Sequence, residues 1–149
     1  MNEKYMKIAL NEAKKSLITD DVPVGALIVK NNKIISKSHN MKEKYKIATK
    51  HAEINVIEKA CKKLNTWYLN DCILYVTMEP CLMCAGAIIQ SRIKKIVYAL
   101  PNEHFGYVDS IDKILSNKKN NHIVEIESGI LEKEAKSLIQ NFFINKRKK

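Results

Sequence analysis

Cys72-Ile-Leu-Tyr-Val-Thr-Met-Glu-Pro-Cys-Leu-Met-Cys84 leads into Ala-Gly-Ala-Ile-Ile-Gln-Ser91, and Lys94-Lys-Ile-Val-Tyr-Ala-Leu100 follows after a short break. Residues 72–77 form a short apolar run rich in β-branched and aromatic side chains, which reads as a buried strand. Pro80 suits the first turn of a helix, where its missing N–H leaves nothing unpaired. That helix has its body at 81–91, and 94–100 reads as the next strand.

Upstream, Tyr5, Ile8, Ala9, Ala13 and Leu17 recur at helical spacing, predicting an amphipathic helix over 2–18. Residues 22–30 are a short apolar run and 33–38 a returning strand. Asn31-Asn32 between them favours a tight hairpin turn, because asparagine tolerates positive φ. Residues 39–50 read as loop and 50–64 as a second helix. Downstream, the pattern predicts a loop over 101–108, a short helix over 109–116, a strand over 122–126 and a terminal helix over 130–143. Lys146 to Lys149 form a basic tail. After the opening hairpin, strands and helices alternate, which argues for a sheet covered by helices on both faces.

The 149 residues suit one domain, 1–149, large enough to bury a core without disulfide staples. No segment approaches the roughly 18 apolar residues of a membrane span, and Met1 to Tyr5 lack the layout of a secretory signal. A cytoplasmic location is expected. There, Cys61 and Cys72 read as buried free thiols. The net charge of +10 allows a polyanionic partner such as nucleic acid. It does not require one, because arginine occurs only at Arg92 and Arg147 while lysine is abundant, and such a bias loads any solvated face with charge.

The chemistry lies in two short clusters, His51-Ala-Glu53 and Pro80-Cys81-Leu-Met-Cys84, each opening a predicted helix. Two cysteines three apart on a helix face one direction and can grip one ion. The helix dipole favours their thiolates. His51 supplies a third ligand, and two thiolates with one imidazole suit zinc. Three protein ligands leave a fourth position open to water, the mark of a catalytic rather than a structural site. Glu53 lies near the metal without binding it, placed to carry protons. This combination describes hydrolytic deamination of a base, and the paired spacing is the signature of the zinc deaminases.

On these residues the chain resembles the bacterial tRNA adenosine deaminases. The likeness is carried by Asp21–Val29, Ala48–Ile54 and Leu74–Ile93, with Asn121–Leu131 and Phe142-Phe143 towards the C-terminus. The resemblance implies a three-layer α/β/α cytidine deaminase-like fold, with a central mixed five-stranded sheet and helices on both faces. It implies a homodimer with one Zn2+ per subunit. It also implies conversion of the wobble adenosine of an arginine tRNA anticodon to inosine. Asn40 would then hydrogen-bond the flipped nucleotide, the backbone at Ala52 would position the base, and Val22 would wall the pocket. Phe142 or Phe143, together with Arg147 in the basic tail, would meet RNA. Asn102 and His104 depart from the Asp and Lys common in the family. An asparagine at 102, if it faces the ribose, would discriminate less sharply against DNA.

Three other functions compete. A deaminase of free bases or nucleotides would share the zinc cluster without needing the basic tail. A catalytically silent RNA-binding zinc protein would have no use for Glu53. A structural-zinc module would need a fourth ligand, and His39, His104 and His122 are none of them paired with another ligand at short spacing.

Overall fold

The computed structural model describes residues 1–148. Five strands form one sheet in the order β2-β1-β3-β4-β5. They are β1 (Gly25–Lys30), β2 (Lys33–His39), β3 (Cys72–Met78), β4 (Lys95–Leu100) and β5 (Glu125–Ser128). β1 runs antiparallel to both β2 and β3, while β3, β4 and β5 are parallel. The sheet is therefore mixed, as the resemblance implied.

The period of two along each strand sends alternate side chains to opposite layers. Ala26, Ile28, Leu74, Val76, Ile96 and Tyr98 pack against α3 (Ala52–Leu64) and α4 (Leu82–Gln90). Leu27, Val29, Tyr75, Val97 and Ala99 pack against α1 (Asn2–Lys15) and join Ala135 of α5 (Glu132–Arg147). A sheet covered on both faces explains why strands 25–30, 72–78 and 95–100 read as nearly unbroken apolar runs. α1 approaches so closely that a Cβ on Gly25 would lie 1.9 Å from the Ala9 carbonyl oxygen.

The hairpin turn is as expected, with Asn31 at φ 51° and Asn32 at φ 62°. Other boundaries differ. The first helix stops at Lys15, and a 3-10 turn covers Ser16–Thr19 before Asp20 turns left-handed at φ 58°. The strand expected from residue 22 begins at Gly25. Pro23 has no N–H to give a ladder, and Val24 N bonds Val22 O instead. The expected 39–50 loop contains a helical turn, α2 (Lys42–Tyr45). The Asp21 carboxylate caps it by accepting from Glu43 N at 2.5 Å and Lys44 N at 3.2 Å, a partner twenty-odd residues away.

The short helix expected over 109–116 shrinks to a 3-10 turn at Ile114–Ser116. The strand expected over 122–126 lies at 125–128. The last helix begins at Glu132 and continues to Arg147, so Lys146 and Arg147 of the expected tail are helical. Lys149 lies outside the described residues. No helix among the described residues is long and apolar enough to cross a membrane.

Candidate active site

His51 and Cys81 both sit at N-cap positions, with extended backbone at φ −75° and −76°, and α3 and α4 start one residue later. Two helix N-termini therefore converge at the end of the sheet where β3 finishes. The His51 Nδ1 atom lies 3.6 Å from Cys81 Sγ and 3.5 Å from Cys84 Sγ. The three ligand atoms all fall within 4.8 Å of one another. A tetrahedral zinc with Zn–S near 2.3 Å and Zn–N near 2.0–2.1 Å requires N···S separations of about 3.5–3.6 Å. The donor set fits zinc in both type and spacing.

Protons at this cluster are shared. A hydrogen bond from Cys84 pulls the Cys81 thiol down to about 4 against the effect of burial, with His51 helping. The same bond, with burial, pushes Cys84 up. His51 is raised, chiefly by its hydrogen bond to Cys81. Glu53, in the first turn of α3, is only 4% exposed. Burial pushes its carboxyl up to about 7, with the neighbouring His51 pulling the other way. The site thus combines three soft and borderline donors with a carboxyl poised to hold or release a proton near neutral pH.

The cluster opens into a cleft of about 440 Å³. Seven of the residues expected in the site line it: Val22, Asn40, His51, Ala52, Glu53, Cys81 and Asn102. Cys84 sits behind them, fully buried. Asn40 is fixed by donating from Nδ2 to Val22 O at 3.1 Å and accepting at Oδ1 from Lys42 N at 3.2 Å. One amide N–H and one oxygen lone pair remain for a ligand. Asn102 accepts at Oδ1 from Phe105 N at 3.2 Å, so the side chain that borders the cleft also caps its own turn.

Phe142, Phe143 and Arg147 are absent from the cleft wall. The structure divides the aromatic pair: Phe142 is 6% exposed and Phe143 44%. Near the end of their helix, Lys146 Nζ lies 3.7 Å from Asp20 Oδ2, on a residue two before Val22 in the sequence.

Sequence reasoning passed over Val24, Lys42, Met78, Glu79 and Phe105, which also line the cleft. Glu79 is 2% exposed and accepts five hydrogen bonds. Burial pushes its carboxyl up, but bonds from Asp109 N, the Ser110 hydroxyl, Asn102 N and Ser110 N outweigh that and hold it below its ordinary value. The available signal was a carboxylate ending an apolar strand beside Pro80-Cys81, but its partners lie 23 to 31 residues further on.

The class of enzyme is set by a family match: the model of the MafB19-like deaminases covers residues 1–147, and with it the five strands and five α-helices of the described residues. The tRNA-specific adenosine deaminase of Bacillus subtilis (strain 168) is 43% identical over 148 residues, covering 99% of this chain and 92% of its own. That of Aquifex aeolicus (strain VF5) is 47% identical, covering 95% and 93%. A structure from work on A-to-I editing by tRNA:A34 deaminases superposes with a TM-score of 0.87 at 36% identity, covering 91% of this chain and 98% of that one. The chain belongs to the tRNA-specific adenosine deaminase family and is a hydrolytic deaminase.

Proposed function

We propose that this chain is a single cytoplasmic deaminase domain that converts the wobble adenosine of an arginine tRNA anticodon to inosine. It works as a homodimer with one zinc ion per subunit, held by His51, Cys81 and Cys84. The observation that carries the reading is a buried carboxylate, Glu53, standing in the same cleft as a His–Cys–Cys cluster with zinc spacing. The named relatives supply the substrate class.

When bound, zinc supplies a Lewis acid that makes water nucleophilic near neutral pH. The protein does the rest. Glu53 takes a proton from the attacking water and returns it on the substrate side as ammonia departs. Asn40 offers its spare N–H and lone pair to the extruded nucleotide. Ala52 contributes backbone to the base and Val22 an apolar wall. Asn102 faces the sugar, while Phe143 and Arg147 meet RNA beyond the cleft.

The test is to incubate the purified protein with an arginine tRNA anticodon stem-loop and, separately, with adenosine, cytidine, cytosine and guanine. Inosine at the wobble position of the stem-loop alone is expected. Turnover of a free base and not the stem-loop would replace this reading with the free-base one. No turnover of any substrate by zinc-loaded protein would leave a binding protein.

A further inference from the structure

The loop that follows β4 closes around one side chain. Glu79 Oε1 accepts from Asn102 N at 3.0 Å and the Ser110 hydroxyl at 2.5 Å. Its Oε2 accepts from Val108 N, Asp109 N and Ser110 N at 3.0, 2.8 and 3.0 Å. The two ends of the loop, Asn102 and Ser110, thus meet on one carboxylate. Gly106 lies flat against it: a Cβ there would stand 2.3 Å from Cδ and 2.5 Å from both oxygens. A second tie, Tyr107 N to Pro80 O at 3.0 Å, joins the loop to the next residue of the same strand end. Asn102 and Phe105, on the tied segment, face the cleft.

A carboxylate offers about four lone-pair directions, and five donors already converge here. Glu79 therefore has nothing left to offer a substrate directly. We propose that Glu79 is a positioning residue for substrate recognition. Its carboxylate holds loop 102–110 closed, and so sets where Asn102 and Phe105 stand against the target nucleotide. This rests on the RNA-deaminase reading above for its substrate, but the anchoring itself does not. Glutamine cannot substitute. It has one acceptor oxygen, and whichever way its amide turns, an NH2 faces backbone N–H groups. Phe105 is 68% exposed, as suits a ring placed by its loop to meet a partner outside the core.

The test uses full-length zinc-loaded protein carrying Glu79→Gln, with Gly106→Ala as a second route that keeps the carboxylate and displaces the loop. Hydrogen exchange at the amides of 102 and 108–110 should quicken by about tenfold or more in both variants. KM for the stem-loop should rise roughly tenfold while kcat stays within about twofold. Zinc content should remain at the wild-type level. Unchanged exchange would overturn the anchoring, whatever the substrate proves to be. Zinc loss would assign Glu79 to support of the Cys81 turn instead. Quickened exchange with kcat lowered at constant KM would sink the recognition role. If Glu79→Gln fails to fold, Gly106→Ala decides by the same three readouts. If the wild type does not turn over the stem-loop, the substrate reading fails while the exchange result still stands or falls alone.

Discussion

At the scale of single residues, the proposed chemistry separates groups that bind metal from one that moves protons. His51, Cys81 and Cys84 carry donor atoms at zinc spacing, while Glu53 has its own place in the cleft. Glu53→Gln should therefore lower kcat by at least about 10²-fold, the usual contribution of a general acid–base group, with zinc content unchanged. Cys81→Ala, Cys84→Ala and His51→Ala should each lose zinc along with activity. Metal analysis separates the two kinds of variant, and zinc loss from Glu53→Gln would remove its role as a proton carrier. Each pair was legible in the sequence because its members stand only two or three positions apart, so local geometry keeps them close; that the two pairs meet, across about 30 residues, is the work of the fold. Glu79 and Asp21 were not legible. Most of their hydrogen-bond partners are backbone amides 22 to 31 residues away, which bear no side-chain signature and come within reach only once the loops have closed.

At the scale of elements, periodicity found all five strands of the described residues, the last one displaced by about three residues, and one of its errors fell where a polar side chain overrides local propensity. α2 is the example: residues 42–45 show no apolar stripe, and a distant carboxylate makes the turn helical by satisfying its first amides. Asp21→Ala should thus cost about 0.5–2 kcal/mol, the usual range for a lost N-cap, measured by denaturant unfolding. The close packing of α1 on β1 predicts a larger effect from Gly25→Ala. The added methyl meets the Ala9 carbonyl and Ala13 nitrogen, which are backbone and cannot rotate away. A loss above about 2 kcal/mol is expected, and wild-type stability would show that α1 slides freely.

The same region carries a pH dependence. Burial pushes His39 below its ordinary 6.5, partly offset by Glu12; Lys15, Lys44 and Lys59 also lower it. The unfolded chain then binds more protons than the folded one as pH falls through 6.5, so His39 destabilises the fold on the acid side. His39→Asn should flatten the fall in stability between roughly pH 7 and 5 relative to wild type. An identical slope would mean that other groups govern that window.

At the scale of the whole molecule, the question is which of the positive charges act. A net +10 built almost entirely from lysine is spread over many surfaces. The fold sorts them. Lys42 lines the cleft, and Arg147 ends the helix whose last turn reaches Asp20, two residues before the cleft residue Val22 in the sequence. Lys62 and Lys63 lie near the end of α3, whose first turn is at the cleft; ten to eleven residues of helix put their backbones about 15–17 Å along the axis from that turn. If RNA is held across the cleft mouth, neutralising Lys42 or Arg147 removes a phosphate contact and its released counterion. Each change should then lower the slope of log affinity against log salt by up to about one unit, roughly 0.7–0.9 per contact. Lys62→Ala with Lys63→Ala removes the same total charge as Lys42→Ala with Arg147→Ala, but lies about two Debye lengths from the cleft at physiological salt. Its slope should match the wild type. The comparison isolates position from net charge, because both double variants carry the same formal charge. Equal slopes in the two would show that RNA senses only the overall field, and the assignment of Arg147 to a contact would fall.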